Sequence, residues 1–143
     1  MLKRSALRSI KLAALLAAVL VIARADSRPE PDFGVRNDVM IVYVGSDSCA
    51  PCRAWQRNEA VQFRASPAFS RISYREIKAP NLFDLLKDEW WPEDLRGYRS
   101  QLARGAGAPL WLLIVDRQIV AQAFGRTQWS AVIEPQLRML LWH

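Results

Sequence analysis

The chain has 143 residues, 51% of them apolar, and a formal net charge of +6. That length suits one compact domain, and that apolar share supplies an ordinary core without disulfide staples. Five basic residues (Lys3, Arg4, Arg8, Lys11 and Arg24) sit in the first 25 positions with no acid beside them, so the rest of the chain is nearly neutral and carries no basic, aromatic-interleaved stripe. A nucleic-acid partner is therefore not expected.

Residues 1–25, "MLKRSALRSIKLAALLAAVLVIARA", have the three parts of an export signal: a basic start, an apolar run from Leu12 to Ala23, and small residues at Ala23 and Ala25. Cleavage is expected after Ala25. The apolar run is shorter than the roughly 20 residues a bilayer crossing needs. The alternative is an uncleaved anchor over residues 10–23, with its basic end in the cytoplasm and the only expected membrane contact. Either way the domain leaves the cytoplasm, and the signal's form suggests a bacterial periplasm. Residues 26–38 are polar, carry Pro29 and Pro31, and read as a linker. The folded domain is expected over 39–143.

Val39 to Val44, "VMIVYV", is a short β-branched run of the kind buried on both faces of a sheet. Gly45 to Ser48 should end it. Both cysteines follow, in "SDSCAPCRAW". The next stretch, "RAWQRNEAVQFRAS", reads as one helix stopped at Ser66-Pro67. "RISYREIKA", 71–79, reads as a second strand. Residues 81–104 are expected to be helical in two pieces, with Leu82, Phe83, Leu85 and Leu86 on one side and a new start at Pro92. "PLWLLIVD", 109–116, turns at "DRQ" into "IVAQAFG", 119–125, and the two form a hairpin. "TQWSAVIEPQLRMLLW" closes the chain as a helix with Pro135 as its kink. The order β-α-β-α-β-β-α predicts an α/β domain: a mixed sheet with helices on both faces.

Cys49 and Cys52 are the chain's two cysteines. They leave three readings: a redox pair, half of a metal site, or a staple. A structural zinc site wants four ligands, and beyond the cysteines there is one histidine, His143, at the last position. Two thiolates suit Cu(I) somewhat better, although no Met or His stands in the motif. A staple across two residues removes little chain entropy. Exchange chemistry is the preferred reading, with no metal and no cofactor. At a strand-to-helix junction, Cys49 meets the unpaired amides and partial positive charge of a helix's first turn. Such thiols ionise well below the usual value of about 8.5. Cys52, one turn on, attacks the mixed disulfide that Cys49 forms. Pro51 suits a first helical turn, where its missing N–H is not needed.

With "CAPC" at 49–52, "GAP" at 107–109 ahead of a strand, and a hairpin ending in Gly125, residues 38–142 resemble the thioredoxin-like superfamily, in particular its exported thiol:disulfide oxidoreductases. The resemblance implies a cis Pro109 facing the cysteines, and an Ala108 backbone that pairs with a substrate strand. Ser48, Ala50 and Pro51 flank and fill the motif. It also implies a reductant of exported client proteins bearing disulfides, fed by a membrane thiol donor. Two departures stand out. Ser48 occupies the place where Trp is common, and Tyr43 occupies that of a buried acid, leaving water or Glu59 as candidate proton acceptors. Asp47 opposes the helix end by its charge. In "DEWWPED", Trp90 and Trp91 are expected to pack an extra segment onto the core, the alternative being a lid or docking surface; Trp55 and Trp111 are expected in the core or lining a groove. Two other functions stay open: a redox-inert binding module on the same fold, and a copper-handling chaperone.

Overall fold

The computed structural model describes residues 38–102 and 105–142. The leader, nearly all of the linker and His143 lie outside them. Strand β1 (Val39–Ser46) is central. It pairs in parallel with β2 (Ser73–Ala79) on one side and antiparallel with β3 (Leu110–Val115) on the other. β3 turns back into β4 (Gln118–Phe124), giving the order β2-β1-β3-β4. A strand with neighbours on both sides and layers on both faces must be apolar throughout, which is why "VMIVYV" does not alternate. β1 runs two residues past its expected end, because Gly45 and Ser46 still pair with Lys78 and Ala79.

Odd and even positions of β1 feed two cores. Ile41 and Tyr43 pack with Trp55, Phe63, Trp111 and Trp129 on one face. Val42 and Val44 pack with Leu85, Trp91, Leu95 and Leu112 on the other. The first face is covered by helix α1 (Ala50–Arg57), helix α2 (Glu59–Arg64) and the C-terminal helix. The single helix expected after the cysteines is thus two. Asn58 leaves helical geometry at φ −110°, ψ −82°, and its N–H closes α1 on the carbonyls of Ala54 and Trp55. Asparagine is a weak helix former. The break lets Trp55 on one piece and Phe63 on the other reach the same core.

The second face is covered differently from expectation. Residues 82–84, 88–90 and 93–95 form separate 3₁₀ turns, followed by one α turn, α3 (Arg96–Arg99). The predicted apolar side over 82–86 does not exist: Phe83 is 95% exposed and Leu82 is exposed too, whereas Leu85 is 4% exposed. Lys87 is extended, and Trp91, held extended ahead of Pro92, ends the next turn. These reversals bring Leu85, Trp91 and Leu95 onto one sheet face. Trp91 donates its indole N–H to the Leu85 carbonyl at 2.7 Å. Trp91 is buried and Trp90 packs against the same core, in line with the packing reading of "DEWWPED".

The hairpin closes on two residues, Asp116 (φ 49°) and Arg117 (φ 65°). Both lie in the left-handed region, as a turn matching the strands' twist requires. Asp116 and Asp38 exchange hydrogen bonds at 3.0 Å, one to a backbone carbonyl and one to the Asp116 carboxylate, which pins the turn to the start of β1. The last segment begins as a π-helical stretch (Trp129–Ile133) and becomes α-helix α4 (Glu134–Trp142). The change of hydrogen-bond pattern falls just before Pro135, which has no N–H to continue a regular ladder.

Leu85→Ala should lower unfolding stability by about 2–5 kcal/mol, while Phe83→Ala should stay within about 0.5 kcal/mol of the parent. Urea denaturation of both variants checks this; equal losses would restore a helix with one apolar side.

Candidate functional site

Cys49 ends the loop that leaves β1 and is the N-cap of α1, with extended geometry at φ −88°, ψ 110°. Its Sγ accepts a hydrogen bond from the Cys52 backbone N–H at 3.2 Å. Pro51 stands in the first turn of α1, as its missing N–H permits. The two sulfurs are joined as a disulfide with Cα atoms 5.2 Å apart. Both cysteines are buried in this oxidised state, at 3% and 2% exposure, while Ser48, Ala50 and Pro51 lie at the surface.

Ala108 and Pro109 reach the cysteines from the far end of the chain. The Ala108 carbonyl stands 3.8 Å from Cys49 Sγ, and the Ala108–Pro109 peptide bond is cis. The structure thus brings together the four residues singled out from the sequence. Pro109 leads into β3, and β3 lies beside β1, so adjacent strands deliver the two halves of the site. Parallel β1 and β2, antiparallel β3 and β4, and a Cys-x-x-Cys capping the helix after β1 set the architecture.

The fold is thioredoxin-like.

No family model and no curated protein matches the sequence. Among solved structures, the chain is similar to thioredoxin f2 of Chlamydomonas reinhardtii, at 17% identity over 72% of this chain and 82% of that one, with a TM-score of 0.47. It is also similar to the reduced thioredoxin pre-protein of Schistosoma mansoni, at 13% identity over 88% and 90% of the two chains, with a TM-score of 0.48. A DsbH oxidoreductase aligns at 15% identity over 72% and 74%, with a TM-score of 0.41.

Sequence reasoning missed Ser46. This thioredoxin-like site is braced by its hydroxyl, which is buried at the end of β1. Ser46 Oγ accepts from the Ser48 N–H at 3.1 Å, lies 2.9 Å from Ser48 Oγ, and donates to the Pro80 carbonyl at 3.2 Å. The Ser46 carbonyl accepts from the Cys49 N–H at 3.2 Å. One residue therefore ties the loop before Cys49 to the end of β2. A serine in a strand-end loop gives no such signal in one dimension; the partner Pro80 is 34 residues away.

Tyr43 is buried and stacks on Trp55 with ring centroids 4.7 Å apart. Burial pushes its hydroxyl above the ordinary tyrosine value, so it stays protonated at neutral pH. Its ring runs along β1 over Gly45: a Cβ on Gly45 would run into the hydroxyl oxygen, so a larger residue there requires Tyr43 to move. Glu59 is not positioned to serve Cys52. Its carboxylate takes Arg126 Nε at 3.2 Å and lines a separate cavity around Phe63 and Trp129. Among the described residues, no three His, Cys, Asp or Glu side chains converge as metal ligands would.

On the neighbouring strand, Glu76 collects Arg64, Lys78 and the Tyr74 hydroxyl. Burial pushes the Glu76 carboxyl up, but those hydrogen bonds outweigh it and hold the group below its ordinary value of 4.5. A depressed carboxylate contributes stability above its unfolded value and loses it as pH falls through the folded one.

Two predictions follow from this geometry. Acid unfolding profiles of Glu76→Gln and the parent should lie a constant gap apart above about pH 4.5, with the parent more stable, and converge as pH falls from there through the depressed Glu76 value; a gap that persists unchanged in acid would remove the carboxylate's role. Ser46→Ala should cost about 0.5–1.5 kcal/mol in urea denaturation, since the half-buried hydrogen bonds to the Pro80 carbonyl and the Ser48 N–H are lost and water can replace them only in part.

Proposed function

We propose that the chain is a thiol:disulfide oxidoreductase acting through the Cys49/Cys52 pair. The observation that carries this reading is the N-cap geometry: Cys49 Sγ already accepts the Cys52 N–H at the positive end of α1. Amides aimed at a sulfur stabilise its thiolate, and the thiolate is the nucleophile of disulfide exchange. In the reduced enzyme, Cys49 attacks one sulfur of a client disulfide. The client's S–S bond breaks, and the electron pair leaves on its other sulfur. Cys52 then attacks Cys49 Sγ, freeing the client's second thiol and closing the disulfide seen here. Ala108, beside Cys49, offers backbone to an extended client segment.

The finer reading is that of a periplasmic reductant. Support comes from the export signal over residues 1–25, with an uncleaved anchor over 10–23 as its variant, and from the Pro51-containing motif. A reductant outside the cytoplasm needs electrons carried across the membrane, hence a membrane thiol donor. Its clients are exported proteins that carry disulfides. The domain is the stretch 39–143, joined through the 26–38 linker.

Dithiothreitol-driven precipitation of insulin tests the chemistry. The parent should accelerate it, Cys49→Ser should abolish the acceleration, and Cys52→Ala should accumulate a protein–insulin mixed disulfide visible by non-reducing electrophoresis. Acceleration that survives loss of Cys49 would sink the proposal in favour of a redox-inert module. Recovery of the protein from a periplasmic fraction with Asp26 as its first residue would establish export and cleavage; retention in the cytoplasm would reject both.

A further inference from the structure

Behind the disulfide lies a cavity of about 180 Å³, open to solvent. Cys52 forms part of its wall, together with Tyr43 from β1, Asp47 from the preceding loop, Arg53 and Arg57 from α1, and Lys78 from β2. Three cations thus face one carboxylate around a cysteine that is otherwise buried. Lys78 Nζ is also 3.2 Å from Glu76, whose carboxylate is shared with Arg64. Arg53 donates to the Asp47 carbonyl, not to its carboxylate. Among the described residues, Arg57 forms no ion pair. Cys49, by contrast, faces Ala108. The two sulfurs therefore have different surroundings: Cys49 meets incoming backbone, and Cys52 meets a polar, cation-lined hollow.

Exchange places charge on Cys52 in both directions. When a donor thiolate attacks Cys49 Sγ, the Cys49–Cys52 bond breaks and its electron pair goes to Cys52 Sγ, which then takes a proton from water. In the resolving step Cys52 gives its proton to water and attacks Cys49 Sγ. A leaving sulfur departs faster, and a resolving thiol is more often ionised, where the thiolate is stabilised. Buried in apolar surroundings alone, Cys52 would be held neutral.

We propose that this cavity is where Cys52 gains and loses its charge, with Arg53, Arg57 and Lys78 stabilising its thiolate and with the proton passing to water beside the Tyr43 hydroxyl. This rests on the exchange chemistry proposed above and assigns the groups that tune it. The cations act as positioning charges through solvent, so their influence depends on ionic strength. Tyr43 contributes a neutral hydroxyl and not a base.

The test is the opening of the oxidised protein's own disulfide by β-mercaptoethanol, a neutral thiol, with free Cys52 trapped by alkylation and counted by mass spectrometry. At a salt concentration of about 20 mM, Arg57→Gln/Lys78→Gln should open about fivefold more slowly than the parent, and the deficit should fall below about twofold at about 1 M salt. The charge-keeping Arg57→Lys/Lys78→Arg protein should stay within about twofold of the parent at both concentrations. Equal rates at low salt, a deficit that persists at high salt, or the same deficit in the charge-keeping protein would each overturn the assignment. The assay needs no client, so a chain that reduced no insulin would defeat the earlier reading while this readout still stood.

Discussion

Everything in the domain hangs on β1 being paired along both edges and covered on both faces. Such a strand can neither slide nor tilt: a shift of one residue would move Ile41 and Tyr43 out of one core and Val42 and Val44 out of the other. Its C-terminal end is therefore a fixed point. The cysteine loop leaves from that point, and α1 begins after Asp47, Ser48 and Cys49. The partner strand β3 is equally fixed, and its first residues carry Ala108 and Pro109 to the same place. Rigid placement of Cys49 and its opposing backbone is thus a consequence of sheet register, with no dedicated scaffold.

The loop between the strand and the helix is short, so its own hydrogen bonds decide its shape. Ser46 satisfies the Ser48 N–H and the Pro80 carbonyl, and Cys49 satisfies the Cys52 N–H. The sulfur thereby performs the capping usually done by a hydroxyl or carboxylate side chain. Local stability and the sulfur's electrostatic setting come from the same contact, because the group that completes the helix is the sulfur of the Cys-x-x-Cys pair.

On one face of β1, Tyr43, Trp55, Trp111 and Trp129 form a continuous aromatic cluster with ring centroids 4.7–6.3 Å apart. Edge-to-face and stacked contacts of this kind add about 0.5–1.5 kcal/mol each beyond the area they bury. The indole N–H groups of Trp55 and Trp111 find no acceptor among the described residues, a cost that packing of this density offsets. The polar hollow beside Cys52 and the Ala108 carbonyl beside Cys49 give two chemically identical sulfurs different surroundings.

Composition and pattern alone determined the strands, the hairpin and the helix that starts at the cysteines, because each rests on short-range rules: β-branched runs, turn residues and a proline in a first helical turn; the hairpin's turn is one residue shorter than the expected "DRQ", since Gln118 already pairs with Val115. Cys49 and Cys52 were also legible, through their spacing, and Ala108 and Pro109 through the resemblance that the motifs carry. The course of residues 82–99 was not, since Leu82, Phe83, Leu85 and Leu86 look equivalent along the chain and only the shape of the second sheet face decides that Leu85 is buried while Phe83 is exposed. The break at Asn58 follows the same logic, with Trp55 and Phe63 competing for one core. Ser46 and the cation-lined hollow were decided wholly by tertiary structure. Their parts come from β1, α1, β2 and the loop after β2, and such groups meet only when sheet pairing brings positions more than 20 residues apart into contact.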